Sequence, residues 1–547
     1  MTKARILADF ISDGSSLADG TISVAEVSGA APLASPTFTG TATVSGNLSV
    51  DGGTIKLDGN YPVGTWNVAL GDTALDSLTS GAGNTAVGSK ALTSNTTGGD
   101  NTAVGNRTLY NNITGTMNTA NGFEALYNNT TGTMNTANGY LALYYNTTAD
   151  SNTANGQAAL HYNTTGGNNT AYGWRALFSN TTASNNTAVG YQAGYANTTG
   201  SQITSVGYQA LNANTTAFNN NAFGFWAAKN TTTGQFNNAF GTSALLTNTT
   251  GSNNTAIGES ALRLNTTASN NTAVGFQAGY ANTTGADNVA LGYQALSDNT
   301  TGAENTAVGK GALQENTTGT ENTAVGRLAL RDNNGTENTT VGTNSMLLNT
   351  SGSYNTALGM SALRSNTTAS NNTAVGYQAG FSNTTGTQNT ANGFKAFYSN
   401  TTGGQNTANG YQALYSNTTG NYNTANGFNS MYYNTTGANN TALGLDALAN
   451  STTASNNTAV GYQALTANTT GTQNTAVGAS SLDANTTGTR LTAIGYEALG
   501  SNTTGNYSAA GGWKALTTNT TGTHNTAWGD GSLQFNTTGT YNSALGQ

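Results

Sequence analysis

The 547 residues of this chain combine few hydrophobic residues (36%) with very few charged ones (7%), and they include 71 glycines. Such a composition is unlike that of a globular enzyme, and the scarcity of charge and proline is unlike that of a disordered chain. A net charge of −8 with only 15 Lys and Arg excludes the concentrated positive charge that nucleic-acid binding requires, and the absence of cysteine excludes disulfides and thiolate metal sites.

The first predicted element is a short helix at ARILADFI, followed by short strands. No segment has the apolar length of a membrane span or the cleavage site of an export signal, so we expect no membrane insertion. Residues 31–46, APLASPTFTGTATVSG, resemble the P-T-F-T-G-T segments of many phage tail fibres. That resemblance implies that residues 1–60 attach a shaft to a baseplate or tail protein of a virion. The alternative is an ordinary cap over the first repeat.

Residues 61–547 are dominated by a tandem repeat of 17 residues, N-T-A-V-G-Y-Q-A-L-x-x-N-T-T-G-x-x. It begins 29 times, from Asn67 to Asn542; the copy between Asn322 and Asn338 is one residue shorter, and the one at Asn542 comprises only Asn-Ser-Ala-Leu-Gly-Gln. Positions are numbered here from the first residue of each copy, which is usually Asn. A fixed period of this length is the signature of a solenoid. We therefore predict one domain of stacked coils, each with two short strands joined by turns, N-T-T-G being one of them. A short turn of helix at YQAL is an alternative for that segment.

The fifth position is glycine in every copy, which predicts a positive φ or a close backbone approach. Proline is absent after Pro62, as expected where most backbone N–H groups enter a hydrogen-bonded ladder. The sequence thus predicts an all-β fold, a parallel β-solenoid or β-roll of 17-residue coils. Structural glycines at the fifth position include Gly71, Gly88, Gly275 and Gly529.

The apolar positions of the repeat are the third and eighth, usually Ala, and the ninth, usually Leu. One buried leucine contributes roughly 1.5–3 kcal/mol, whereas ordering the backbone of a 17-residue coil costs roughly 17–34 kcal/mol. A single coil is therefore unstable by itself. We expect the thin apolar strip to be buried against neighbouring chains in a homotrimeric fibre.

The N-T-A-V-G-Y-Q-A-L unit resembles the head repeats of trimeric autotransporter adhesins, and the resemblance covers residues 67–547. It implies a trimeric β-roll. Together with the N-terminal segment it implies a structural and adhesive fibre, the shaft of a phage tail fibre located in the virion. Such a shaft projects a receptor-binding end toward a glycan or receptor of the host cell surface. A bacterial surface adhesin, outside the cell or on its surface, is the alternative.

The sequence contains no catalytic constellation, because its two histidines, His161 and His524, lie many repeats apart. We predict that the protein is not an enzyme and has no resident cofactor. A polysaccharide-degrading tailspike is an alternative. An ice-binding solenoid is another, although the paired threonines of N-T-T-G would face opposite sides of a strand.

Acidic residues form columns in one stretch of the repeat, because equivalent residues of stacked coils lie about 4.8 Å apart. These columns are either a solvated stripe or a binding site for calcium. The column at the eleventh position holds Asp298, Glu315 and Asp332. The candidate metal ligands, at the seventeenth position, are Asp287, Glu304, Glu321 and Glu337.

Tyrosines form columns at the tenth position, in two stretches where the fourth position changes from an aliphatic residue to Asn. If the tenth position is exposed, the rings contact glycans. If it is buried, they replace the volume lost when Asn enters the core, and we favour this packing interpretation. The candidate glycan contacts are Tyr127, Tyr144, Tyr398, Tyr415 and Tyr432.

Overall fold

A computed structural model of the protein describes residues 64–547. The predicted attachment region, residues 1–60, and its helix lie outside the described residues. Each coil contributes one β-strand of three residues, formed by the second, third and fourth positions, and the coils together form 29 strands. Each strand pairs in parallel with that of the next coil, equivalent positions opposite each other. The protein is thus the predicted parallel β-solenoid, with one strand per coil instead of the expected two.

The strands, in chain order, are β1 (Val68–Leu70), β2 (Thr85–Val87), β3 (Thr102–Val104), β4 (Thr119–Asn121), β5 (Thr136–Asn138), β6 (Thr153–Asn155), β7 (Thr170–Tyr172), β8 (Thr187–Val189), β9 (Thr204–Val206), β10 (Asn221–Phe223), β11 (Asn238–Phe240), β12 (Thr255–Ile257), β13 (Thr272–Val274), β14 (Val289–Leu291), β15 (Thr306–Val308), β16 (Thr323–Val325), β17 (Thr339–Val341), β18 (Thr356–Leu358), β19 (Thr373–Val375), β20 (Thr390–Asn392), β21 (Thr407–Asn409), β22 (Thr424–Asn426), β23 (Thr441–Leu443), β24 (Thr458–Val460), β25 (Thr475–Val477), β26 (Thr492–Ile494), β27 (Ala509–Gly511), β28 (Thr526–Trp528) and β29 (Ser543–Leu545).

The rest of each coil cannot be extended, because three positions outside the strand adopt the left-handed backbone conformation. In the coil that starts at Asn118 these are Glu124, Leu126 and Met134, with φ of 53°, 52° and 55°. A left-handed leucine is unusual, since its Cβ crowds the backbone. The segment that corresponds to YQAL therefore forms turns, and residues 64–547 contain no helix.

Backbone hydrogen bonds join the coils outside the strands as well. In the same coil, Thr119 N–H donates to Asn135 O at 2.8 Å and Leu126 N–H donates to Ala142 O at 2.9 Å, both in the following coil. Met134 N–H donates in the other direction, to Thr116 O at 3.0 Å. A proline at any of these positions would remove a bond between coils, which explains why the repeats contain none.

The fifth-position glycines combine a positive φ with a close approach to the backbone of the next coil. Gly71, Gly88, Gly275 and Gly529 have φ of 140°, 136°, 137° and 134°. A Cβ on Gly275 would lie 2.5 Å from the carbonyl oxygen of the equivalent glycine in the next coil, Gly292. Glycine thus allows the backbones of successive coils to approach closely at this corner.

The core of each coil is half polar. In the coil that starts at Asn84, the side chains of Asn84, Ala86, Ala91, Leu92 and Asn95 are all fully buried. The alanines and leucine form the apolar columns that the repeat predicts. However, they are buried inside a single chain, so the expectation that neighbouring chains cover this strip is wrong. The inward-facing turns of one coil close the core by themselves.

The polar half consists of two asparagine ladders, at the first and twelfth positions. In the second ladder, Asn112 Nδ2 donates to Asn95 Oδ1 of the preceding coil at 2.8 Å and to Gly115 O of its own turn at 3.0 Å. In the first ladder, Asn101 N–H donates to Asn84 Oδ1 at 3.1 Å. These bonds offset the cost of desolvating the buried amides, except at Asn434, whose Oδ1 has no partner where Ser451 replaces Asn in the next coil.

The shortened copy keeps the solenoid in register through one side chain. Its turn lacks the fourteenth position and has Asn334 at the thirteenth. In most coils the thirteenth residue is Thr, and its carbonyl oxygen accepts hydrogen bonds from the preceding coil. Here Asn334 Oδ1 accepts them instead, from Thr317 N–H at 2.8 Å and from Thr317 Oγ1 at 2.7 Å. Strands β16 and β17 therefore still pair in register.

Replacement of Leu448 by Ala should lower the free energy of unfolding by about 2–5 kcal/mol, because this leucine is fully buried. Leu445 of the same coil is 42% exposed, and its replacement by Ala should cost less than about 1 kcal/mol. Chemical denaturation of the two full-length variants, followed by circular dichroism, measures the difference. Equal losses would contradict the assignment of the ninth position to the core.

Candidate functional site

The tenth-position tyrosines form two columns of parallel rings along the outside of the solenoid. In the first, the centroids of Tyr110 and Tyr127 are 5.1 Å apart and those of Tyr127 and Tyr144 are 5.2 Å apart, with interplanar angles of 3° and 9°. His161 and Phe178 continue this column beyond Tyr144. All the tyrosine rings are half-buried.

The second column consists of Phe381, Tyr398, Tyr415 and Tyr432, with successive centroids 5.1, 5.1 and 5.0 Å apart. At these distances each ring covers the faces of its neighbours. A sugar approaching the middle of either column therefore meets ring edges and hydroxyl groups, whereas an open ring face exists only at a column end. This distinction decides which of the five candidate tyrosines can act as a stacking platform.

The packing explanation for these tyrosines is wrong, because the fourth position does not enter the core. The third position of the coil, which is the middle residue of each strand, points inward, and its two neighbours point outward. Accordingly Asn121 and Asn155 are exposed, as are Asn392 and Asn426. The fourth-position asparagines therefore leave no internal volume for a tenth-position ring to fill.

His161 occupies the tenth position between Tyr144 and Phe178, at centroid distances of 5.4 and 5.2 Å. Burial in this column lowers the pKa of the imidazole below its ordinary value, although its hydrogen bond to Leu141 O has the opposite effect. The ring is therefore neutral at physiological pH and acts as one more member of the column. His524 belongs to a separate, exposed stack with Tyr507 and Tyr541.

The seventeenth-position acids project into solvent on successive coils, and Asp287, Glu304, Glu321 and Glu337 are all exposed. Each has a left-handed backbone, with φ between 55° and 59°. Among residues 64–547, no three or more His, Asp or Glu side chains come together in a group that could hold a metal ion. The structure thus gives no support for a calcium column, whereas exposed carboxylates are what a solvated stripe requires.

The eleventh-position acids are partly paired with a cation. Arg331, at the tenth position, contacts both carboxylate oxygens of Asp332, and its Nε lies 3.7 Å from Glu315 Oε1. The hydrogen bond to Asp332 raises the pKa of the guanidinium above its already high value. In this column Asp298 instead accepts a hydrogen bond from Ser297 Oγ at 2.8 Å.

A further exposed feature, which sequence reasoning missed, is a pair of apolar columns at the fourth and sixth positions. At the sixth position the rings also stack, as in the series Tyr191, Tyr208 and Phe225 with centroids 5.0 and 5.1 Å apart. The repeat offered a signal, since Tyr and Phe recur at the sixth position throughout. The exposed aromatic residues at this position are Phe123, Tyr140, Tyr191, Tyr208, Phe225, Phe276, Tyr293, Tyr377, Phe394, Tyr411, Phe428, Tyr462, Tyr496 and Trp513.

Seventh-position cations connect the sixth- and tenth-position columns. The Arg175 guanidinium lies 4.4 Å from the ring centroid of Trp174 and 5.1 Å from that of Phe178. Lys395 Nζ lies similarly between Phe394 and Tyr398, at 5.5 and 5.4 Å. These cation–π contacts place the seventh-position side chains along the boundary between the two columns.

Shallow grooves run along the solenoid where small side chains follow large ones. One, of about 490 Å³, lies beside Ile113 and Tyr145, and another, of about 380 Å³, lies beside Tyr432 and Tyr433. A third, of about 320 Å³, is lined by Asp483 and Glu497. Burial raises the pKa of Asp483, whereas a hydrogen bond from Tyr496 lowers that of Glu497.

No helix among residues 64–547 is long and apolar enough to cross a membrane. Comparison of the sequence with protein-family models found no match, and comparison with curated proteins found no significant similarity.

Proposed function

We propose that the chain is the shaft of a homotrimeric structural and adhesive fibre, of the kind that projects from a phage tail toward the host cell surface. The virion would be its location, and a baseplate or tail protein would hold its N-terminal region. The observation that carries this proposal is the repeated outer surface: the same apolar positions face outward in coil after coil, on a solenoid whose own core is already closed.

The exposed apolar surface is large enough for a stable association. A fully buried aromatic side chain covers about 150–250 Å². The fourteen aromatic residues at the sixth position are 37–50% exposed, except Tyr462 at 52%. They therefore leave roughly 1,000 Å² uncovered, against the roughly 800 Å² that each partner buries in a standard interface. The rings occur in several groups along the solenoid, separated where the sixth position is polar or charged, as at Glu259, Lys310 and Arg327.

A second copy of the chain is the partner that matches this surface at every coil, because it has the same spacing between coils. Closed cyclic symmetry limits such association to a defined number of copies. Three copies agree with the trimeric assembly that the resemblance of the repeats implies. The fourth- and sixth-position columns would then lie between the copies, in place of the buried third, eighth and ninth positions.

Analytical ultracentrifugation of the full-length protein tests this assembly, with an expected mass three times that of one chain. Tyr191→Glu together with Tyr208→Glu places charges in two adjacent coils of the apolar column. This double variant should dissociate at a roughly tenfold higher chain concentration than the wild type.

The matched control is Thr199→Glu with Thr216→Glu, which adds the same charges at exposed fourteenth positions of the same two coils. Its association should equal that of the wild type. A wild-type protein that sediments as a monomer, or equal dissociation of both double variants, would contradict the proposal.

A further inference from the structure

The second tyrosine column has two ends that differ in structure. At one end, the outer face of Phe381 is covered by Arg364, whose guanidinium lies 5.6 Å from the ring centroid. At the other end, Tyr415 covers one face of Tyr432 at 5.0 Å, but the next residue at the tenth position is Ala449. The step from a tyrosine to an alanine leaves the second face of Tyr432 without a ring against it.

This step opens a groove of about 380 Å³, within the range of roughly 300–1,000 Å³ that is typical of small-ligand sites. Tyr433 forms a side wall, since its ring is nearly perpendicular to that of Tyr432, at 79° and 4.6 Å between centroids. The remaining walls are mostly polar. They consist of Gln412, Asn429, Asp446, Ala449, Asn450 and Thr466.

Two polar groups of the groove are poised for a ligand that donates and accepts hydrogen bonds. Asn429 Oδ1 is buried and has no hydrogen-bond partner among the described residues. Burial raises the pKa of Tyr432 above its ordinary value, so its hydroxyl stays protonated and can donate. A buried acceptor without a hydrogen bond lowers the stability of the folded protein. A ligand hydroxyl that donates to Asn429 Oδ1 would remove this cost.

The charge of the groove selects among ligands that stack on aromatic rings. Its lining includes one carboxylate, Asp446, and no Lys or Arg. A phosphate or an acidic sugar would be repelled by this carboxylate, and a nucleotide is disfavoured for the same reason. A neutral saccharide has hydroxyl groups for the amides and the carboxylate, and its C–H groups suit the electron-rich face of a ring.

We propose that this groove binds a neutral saccharide, which stacks on the open face of Tyr432 and hydrogen-bonds to Asp446, Asn429 and Asn450. The site belongs to a single chain, so it does not depend on the trimeric fibre proposed above. It deepens the adhesive part of that proposal, because it places a glycan contact on the repeat domain itself. Of the five candidate tyrosines, Tyr432 is the one that this proposal retains as a glycan contact, because it lies at an open column end.

Saturation-transfer NMR on the full-length protein tests this inference. The neutral probes are the methyl glycosides of glucose, galactose and N-acetylglucosamine, and N-acetylneuraminic acid is the acidic probe. We expect saturation transfer to at least one neutral probe and none to the acidic one. Tyr432→Ala should weaken neutral-probe binding roughly tenfold, because the stacking platform is lost.

A second variant removes the open face without removing the ring. Ala449→Phe should extend the column by one coil, cover Tyr432 and weaken binding roughly tenfold. Rings occupy the tenth position in many coils, so this change preserves the fold. Ser297→Phe is the matched control, since it adds the same ring at a buried tenth position outside the groove and should leave binding unchanged.

Binding to the acidic probe alone, no transfer to any neutral probe by the folded protein, or wild-type binding by Ala449→Phe would overturn the inference. Loss of binding in Ser297→Phe would also overturn it, by placing the site elsewhere. A monomeric protein that still binds a neutral probe through Tyr432 would contradict the fibre and leave this site intact.

Discussion

Replacement of Gly275 by Val should lower the free energy of unfolding by more than about 4 kcal/mol and separate the solenoid at this coil. Gly275 has a φ of 137°, a conformation that a β-branched residue does not tolerate. The new Cβ would also lie 2.5 Å from the backbone oxygen of Gly292, which cannot move without breaking the next coil. The measurement is thermal and chemical denaturation of the full-length variant.

The matched control for Gly275→Val is Gln277→Lys, two residues away. Gln277 has a φ of 53°, and lysines at the same position, Lys90, Lys395 and Lys514, have φ of 61°, 52° and 53°. The control removes one partly buried hydrogen bond, from Gln294 Nε2 to Gln277 Oε1, and should cost less than about 1 kcal/mol. Equal stability of the two variants would mean that the backbone at the fifth position adapts to a side chain.

Replacement of Asn400 by Asp should destabilise the protein by about 3–5 kcal/mol at neutral pH, because it places a carboxylate in the buried asparagine ladder. Asn400 is fully buried, and its Nδ2 donates to Asn383 Oδ1 at 2.7 Å and to Gly403 O at 2.9 Å. A carboxylate at this place would face two acceptors and have no proton to give them. The loss should be visible as a lower denaturation midpoint.

The stability of Asn400→Asp should depend on pH in a defined direction. Burial without a cation raises the pKa of the new carboxyl in the folded state above its unfolded value of about 3.9. Between these two pKa values the folded state binds more protons, so stability falls as pH rises and recovers as pH falls toward about 4. Denaturation midpoints measured relative to the wild type across this range test the sign.

The control for this change is Asn439→Asp, at an exposed seventeenth position where another coil naturally has Asp287. It should change stability by less than about 0.5 kcal/mol and show no comparable pH dependence. If Asn400→Asp were equally mild, the asparagine ladder would not require a donor at the twelfth position.

Much of the candidate site could be predicted from the sequence, because a period of 17 residues places equivalent side chains above one another. The columns of Tyr127, Tyr398 and Asp287 follow from that spacing alone. The direction in which each column faces does not follow from it. The packing interpretation of the tyrosines places the fourth position in the core, yet this position is the outward neighbour of a buried alanine within a three-residue strand. In so short a strand, alternation is not visible in the sequence.

The left-handed positions left a weak signal that sequence reasoning did not use. Glycine replaces leucine at the ninth position in Gly194, Gly279 and Gly380, where φ is 58° to 60°. It also occurs at the seventh position in Gly311 and Gly531, with φ of 62° and 63°. Such replacements mark a backbone that favours glycine but tolerates other residues when neighbouring coils hold them in place.

The repeat by itself therefore determined the solenoid, the stacking of equivalent residues and the need for glycine at the fifth position, because each is a consequence of periodicity and backbone chemistry. Only the tertiary structure decided which side chains close the core. Its turns bring the third, eighth and ninth positions together with two asparagine ladders inside one chain, and they leave the fourth and sixth outside. Whether a residue is buried depends on how the turns fold each coil back on itself, and left-handed leucines in those turns are stable only through hydrogen bonds to the coils above and below.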